Sequence, residues 1–259
     1  MNTTGPYPAA MAKADRRPAP GSSFELYARA MLDHWLGKRA AFEFERDDGL
    51  RRPSKIDTYF APPSKWPRAE QEAIRLVRGR TLDIGCGPGR HALFLQKKGI
   101  DVVGIDASPT QVALARIRGV AQVYPGDVRQ LPRGLGTFRT VLMLGNNLGL
   151  PGDLPRMRRF LRDLKEITRQ GGLLIGNSVI PGTWSEDHLP YVKGNLRRGR
   201  PLGLLTLRAR YKGAIGDWFD LLLLSPEDLA RLAHETGWDL VRVIWEGGPG
   251  DYIGVLERG

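Results

Sequence analysis

Thr81-Leu82-Asp83-Ile84-Gly85-Cys86-Gly87-Pro88-Gly89-Arg90-His91 reads as a buried strand that breaks into a glycine loop and reopens as a helix. Glycines at 85, 87 and 89 keep side chains out of the space above the loop and allow the sharp strand-to-helix turn. Such a loop suits a nucleotide-like cofactor. About twenty residues on, a second apolar strand, Asp101-Val102-Val103-Gly104-Ile105, ends at Asp106, where an acidic side chain can accept both hydroxyls of a ribose.

The spacing narrows the choice of nucleotide. A dinucleotide fingerprint needs glycine at its sixth position, and counting from Gly85 that position is Arg90, which weighs against a nicotinamide dehydrogenase. A phosphate-binding P-loop needs Gly-Lys-Ser/Thr, and none is present. What remains is Asp-x-Gly-x-Gly-x-Gly, an acid closing the next strand, and Gly126-Asp127 after a third strand. From Thr81 to about Asp127 this resembles motif I and its ribose-binding partner in class I S-adenosylmethionine-dependent methyltransferases. The resemblance implies S-adenosylmethionine as cofactor. It assigns Gly85, Cys86, Gly87 and Gly89 to backbone contact with the methionyl part and sets Asp83 beneath, reaching the amino group through water. It also gives Asp106 the ribose diol, Ala107 the adenine face, and Asp127 with Val128 the adenine edge. Leu144, Gly145 and Asn146 would border the sulfonium.

With 259 residues and 41% hydrophobic content, the chain can form one large α/β domain with additions. No apolar run approaches the ~20 residues of a membrane span, and a soluble cytoplasmic protein is expected. The single cysteine, Cys86, excludes an internal disulfide and any multi-cysteine zinc site; no metal is called for. Net charge is +11, which alone would raise nucleic acid as a partner. Arginine supplies most of it, however, scattered over many segments as on ordinary solvated faces.

Residues 1–21, with prolines at 6, 8, 18 and 20, read as a disordered tail. Residues 22–66 read as an N-terminal helical or lid segment. In it, Ser22-x-x-Glu25 forms a capping box ahead of Phe24, Tyr27, Met31, Leu32, Trp35 and Leu36 at helical spacing. A loop then runs through Tyr59-Phe60-Ala61-Pro62-Pro63. From 67 to 259, strands and helices alternate, which means a parallel sheet with right-handed crossovers. Asp83, Asp106, Asp127 and Asn146 fall at or near the carboxyl ends of strands, where such sheets bind ligands. The pattern changes over about 181–224, where two strands around Gly213–Gly216 read as an inserted hairpin. The expected fold is therefore α/β: a Rossmann-like, mostly parallel sheet of seven strands closing on a terminal antiparallel hairpin, as the resemblance, looser toward the C-terminus, also implies.

The acceptor is less defined. The Asn/Asp-Pro-Pro-Tyr/Phe of methyltransferases acting on nucleobases or glutamine is replaced by Asn146-Asn147-Leu148-Gly149, and residues 191–219 are similar to small-molecule-type members. Tyr191, Tyr211 and Trp218 are expected as walls of an acceptor pocket roofed by the hairpin, with Arg208 or Arg210 anchoring an anionic group. Of four histidines, His188, read as a loop residue after the fifth strand, is the candidate general base. His91 is expected to pack near the cofactor, and His34 and His234 to be structural. The expected function is methyl transfer to a small-molecule acceptor by in-line displacement. An RNA methyltransferase and a non-catalytic S-adenosylmethionine-binding protein are the alternatives.

Overall fold

The computed structural model describes residues 21–183, 185–248 and 250–259. The expected tail lies, up to residue 20, outside the described residues. From the N-terminus come α1 (Ser23–Trp35), β1 (Phe42–Arg46) and β2 (Arg51–Pro53). Next are α2 (Arg68–Ala73), β3 (Thr81–Ile84), α3 (Arg90–Lys97), β4 (Val102–Asp106), α4 (Pro109–Ile117), β5 (Val123–Pro125), β6 (Phe138–Met143), α5 (Leu154–Ile167) and β7 (Thr168–Val179). The chain closes with α6 (His188–Arg197), β8 (Leu204–Tyr211), β9 (Ala214–Ile215), β10 (Phe219–Leu222), α7 (Pro226–Thr236), β11 (Trp238–Trp245) and β12 (Asp251–Arg258).

The main sheet has seven strands in the order β11-β12-β7-β6-β3-β4-β5. The β4–β5 and β6–β7 pairs are parallel, and β12 runs antiparallel to both β7 and β11. This is the expected Rossmann-like sheet with its closing antiparallel pair. The helices start where the sequence offers caps: Ser108, Asp153 and Ser225 each accept an N–H from the third residue on, with proline in the first turn behind each.

The chain divides into two compact units. One comprises the described residues up to Pro62, with Leu82–Gly136 and Thr206–Phe219; the other comprises Pro63–Thr81, Thr137–Leu205 and Asp220–Gly259. In the second, Trp238 is fully buried and its indole N–H donates to the Leu161 carbonyl, fixing the start of β11 on α5. The Asn195 amide donates to the carbonyls of Leu202 and Leu204, so the turn after α6 is held from within.

In the first unit the structure departs from the sequence reading. The stretch after α1, expected as loop, contains the hairpin β1–β2, which joins the inserted strands in a second sheet of order β10-β8-β1-β2 with β9 on β8. The reason is local alternation in Phe42-Glu43-Phe44-Glu45. Phe42 buries with Leu26, Ala30 and Met31 of α1, Leu114 of α4, and Ala209 and Tyr211 of β8, while the glutamates take the other face. The inserted hairpin turns at Lys212-Gly213, both with positive φ (48° and 80°), which matches the twist of a tight two-residue turn. The capping box is half made: Ser22 Oγ accepts the Glu25 N–H at 3.1 Å, but the Glu25 carboxylate reaches α4, accepting from Ser108 Oγ at 2.7 Å and from Thr110 Oγ1.

Candidate functional site

The cradle is built in the first unit at the end of β3. All four residues of β3 are buried, Asp83 included, so the strand is a rigid base for the loop it feeds. The N–H groups of Gly85 and Cys86 both donate to the Ile105 carbonyl, at 2.8 and 3.1 Å, and lash the loop to β4. Gly87 then donates its N–H to Asp106 Oδ2 at 2.9 Å, and Ser108 donates to Oδ1 at 2.9 Å.

Two of the glycines are required for different reasons. At Gly89 φ is +80° and a Cβ would run into Val120, so this glycine lets the N-terminus of α3 close on the sheet. At Gly87 φ is +52°, yet a Cβ would meet nothing within 4 Å. Packing places no demand there; the loop presents bare backbone to open space, beside a carboxylate. Gly104 of β4 makes room for Cys86, whose Sγ a Cβ would approach to 2.9 Å. Burial and the nearby charges of Asp83 and Asp106 push the Cys86 thiol well up, so it stays protonated and serves as packing.

Burial pushes Asp106 from the ordinary 3.8 up to about 6, even though two backbone N–H groups favour its ionised form. Each oxygen is engaged by one amide and keeps acceptor capacity for a hydroxyl. Ala107 is half-buried beside it. Asp127 is also half-buried, and its oxygens accept the backbone N–H of Arg129 at 2.8 Å and its guanidinium at 2.6 to 3.0 Å. The carboxylate expected at an adenine edge thus also holds Arg129, and Val128 lies within that turn. Arg90 reaches from the first turn of α3 to the Thr58 carbonyl at 2.9 Å, while its other nitrogen lies 3.2 Å from His91 Nε2. The N-terminal segment is thereby pinned to the helix that follows the loop.

Sequence reasoning missed an aromatic layer in this unit. Phe24 and Phe219 lie 4.9 Å apart between ring centroids, Phe44 and Phe219 6.1 Å, Tyr27 and Phe44 5.3 Å, and Tyr27 and Tyr59 5.6 Å. All five rings are half-buried. Burial and the neighbouring Tyr59 push the Tyr27 phenol well above its ordinary range. The helical spacing of Phe24 and Tyr27 was legible, but not their partners on β1 and β10.

The expected substrate residues of β8 do not share one face. In β8, Arg208 and Arg210 point to one face and Tyr211 to the other, as strand alternation requires. Tyr211 is buried in the core against α1 and donates its hydroxyl to Asp33 at 2.8 Å. It is therefore not a wall shared with the arginines. Trp218 is 43% exposed, with the Arg208 guanidinium 4.3 Å above its ring. Both arginines bond Glu45 of β1, a partner the sequence did not single out.

In the second unit, Leu144, Gly145 and Asn146 follow β6 as expected. Asn146 has φ 64° and makes a reciprocal amide pair: its N–H donates to Asn177 Oδ1 at 2.7 Å, and Asn177 Nδ2 donates to Asn146 Oδ1 at 2.9 Å. Asn177 of β7 was not foreseen. Tyr191 is buried on α6 with the Arg198 guanidinium 5.8 Å from its ring centre. His188 is not a loop residue; it begins α6 and is 2% exposed. Among the described residues no cluster of three or more His, Cys, Asp or Glu could hold a metal, and no helix is long and apolar enough to cross a membrane.

Comparison with known proteins agrees with this geometry. Residues 81–172 match the family described as a methyltransferase domain. The crystal structure of an S-adenosylmethionine-dependent methyltransferase from Bacteroides fragilis, in complex with S-adenosyl-L-homocysteine, is 28% identical. It superposes with a TM-score of 0.75 over 92% of this chain and 95% of its own. A tRNA U34 carboxymethyltransferase of Methylococcus capsulatus is 28% identical over 195 residues, 73% of this chain and 53% of that protein. A malonyl-[acyl-carrier protein] O-methyltransferase of Salmonella typhimurium is 30% identical over 120 residues, 44% of this chain and 45% of that protein. The chain spans about half the length of the curated relatives it matches. With the glycine cradle, the strand-end carboxylate and the sheet order in agreement, residues 81–172 form a methyltransferase domain, of the S-adenosylmethionine-dependent class I kind, within a chain similar in fold to such an enzyme over most of its length.

Proposed function

We propose that the protein binds S-adenosylmethionine at the Gly85–Gly89 loop and transfers its methyl group to a small-molecule acceptor. The observation that carries this reading is the bare backbone at Gly87, open where a side chain would project and fixed by its N–H on Asp106. Such a surface fits a ligand that needs close backbone approach and a diol acceptor beside it. When bound, the cofactor supplies a methyl carbon on a sulfonium, which already carries a good leaving group. The chain's own contribution is to bind and align. Gly87 leaves the approach clear, Asp106 accepts the ribose hydroxyls, and the Glu25 tether to Ser108 keeps α1 over the turn that follows Asp106. Alignment of donor and acceptor can account for about 7 to 11 kcal/mol of barrier lowering, so no metal or covalent intermediate has to be invoked.

A small acceptor is favoured because several of the scattered arginines are paired locally. Arg156 pairs with Asp153, Arg158 with Glu235, Arg159 with Asp163, Arg231 with Asp228 and Arg242 with Glu72. These pairings support solvated surfaces over a continuous phosphate-binding face. The second reading is RNA methylation, favoured by the name of the Methylococcus capsulatus relative. The deciding experiment is titration of the purified protein with S-adenosylhomocysteine and with bulk tRNA at two salt concentrations. Cofactor binding without steeply salt-dependent tRNA binding is expected, and tight binding that collapses with salt would move the assignment to RNA. Binding of the cofactor with no transfer to any extract fraction would instead support a non-catalytic role.

A further inference from the structure

One face of the second sheet carries more guanidinium than carboxylate. Residues paired across antiparallel strands share a face, so the register groups Glu45 with Arg208 and Arg51, and Glu43 with Arg210. Glu45 is only 7% exposed. It accepts Arg208 Nε at 3.1 Å and Nη2 at 3.0 Å, and Arg210 Nη1 at 2.8 Å. The two guanidiniums hold its carboxyl down at about 2, so it remains an anion at any working pH. On this face three arginines, Arg51, Arg208 and Arg210, stand against two glutamates, Glu43 and Glu45. Arg208 Nη1 and Arg210 Nε and Nη2 make no further hydrogen bond among the described residues. Two planar forks are thus held side by side, already oriented by Glu45, with unused donors and one positive charge in excess. The half-exposed ring of Trp218 lies 4.3 Å from the Arg208 guanidinium and supplies an apolar flank.

This cluster is anchored toward the cofactor loop within the same unit. Beside Trp218, Asp217 accepts the Ser23 N–H at 2.7 Å and, through its carbonyl, the Ser23 hydroxyl at 2.5 Å. Two residues on, Glu25 accepts from Ser108, which itself donates to Asp106. The first turn of α1 therefore links the arginine pair's flank to the strand-end carboxylate.

We propose that Arg208 and Arg210 form an oxyanion site that holds a carboxylate or phosphate of the acceptor molecule, with Trp218 against its apolar part. The proposal rests on the methyltransferase reading. Arg forks match planar oxyanions in two-point contact, a preference that an ammonium or a neutral group does not share.

The test uses the full-length protein saturated with S-adenosylhomocysteine, at constant ionic strength. Benzoate, inorganic phosphate and neutral benzamide are titrated against the thermal midpoint. At least one of the two anions should raise the midpoint saturably, benzamide should not, and which anion acts tells carboxylate from phosphate. Arg208→Gln should weaken the anion at least tenfold. Arg208→Lys, which keeps a cationic partner for Glu45 and so guards against misfolding, should do the same while S-adenosylhomocysteine affinity is unchanged. Cofactor binding with no saturable effect of either anion, equal action of benzamide, or unaltered anion affinity in the folded variants would overturn the proposal and leave the methyltransferase reading intact. Loss of cofactor binding with anion binding retained would overturn both, and that pattern is distinct from the rest.

Discussion

Asp106→Asn should separate what this carboxylate costs the fold from what it gives the ligand. Burial raises the group from the ordinary 3.8 to about 6. An acid raised in the folded state favours folding only while protonated. Its contribution is complete below the unfolded value near 4 and is lost as pH climbs through about 6. At roughly 1.4 kcal/mol per pH unit, ionising Asp106 inside the fold costs about 3 kcal/mol by pH 8. Asparagine carries no such cost, although its amide can satisfy only one of the Gly87 and Ser108 N–H groups. The absolute effect at one pH is therefore a difference of opposing terms. Its pH dependence is cleaner, because every other titrating group is common to both proteins. Urea unfolding of ligand-free wild type and variant at pH 4.5, 6 and 8 should show the variant gaining relative stability by about 2 kcal/mol across that range, the first ~1 kcal/mol having been lost below pH 4.5. Most of that gain should fall between pH 4.5 and 7. In parallel, wild-type affinity for S-adenosylhomocysteine should fall below about pH 6, as the diol acceptor is protonated, and that of the variant should not. A pH-independent stability difference would refute the placement of Asp106 as a desolvated carboxylate.

Other expectations follow from contacts around the same unit. Gly89→Ala meets Val120 and a left-handed φ together and should cost about 2 to 5 kcal/mol in urea unfolding. Gly87→Ala meets only the φ term, about 1 to 2 kcal/mol, so its larger effect should be on calorimetric cofactor affinity. Glu25→Ala, which releases Ser108 and Thr110, should cost about 2 kcal/mol and speed amide exchange in α1 ahead of the main sheet. Cys86 should fail to react with a thiol reagent in the native protein and react once on unfolding; native reaction within minutes would contradict its enclosure.

The main sheet and the cradle were legible because their signals are local. Strand, glycine loop and helix succeed one another within eleven residues, and Asp106 follows at a fixed offset, so no distant partner had to be known. Asn177 was invisible for the opposite reason: its partner Asn146 lies in the turn after another strand, and an asparagine in the run Leu174-Ile175-Gly176-Asn177 announces nothing by itself. His188 was misplaced because Ser185-Glu186-Asp187 reads as a loop. The helix after it is decided by tertiary burial of Tyr191, Val192 and Asn195, which outweighs a glycine and a proline within ten residues.

The second sheet shows where such reasoning stops and what the structure adds. Phe42-Glu43-Phe44-Glu45 alternates over too few residues to stand as a strand alone, and its partner β8 begins some 160 residues later. Once the two are paired, one register sets both faces: the phenylalanines join Ala209 and Tyr211 against α1, and the glutamates meet the arginines. Tyr211 and its neighbours Arg208 and Arg210 looked like one pocket in sequence because they are adjacent there. A period of two divides them between a core and a charged surface. The charged surface is the one that retains unused hydrogen-bond donors, so a search for the acceptor belongs on the side of Glu45 and Trp218.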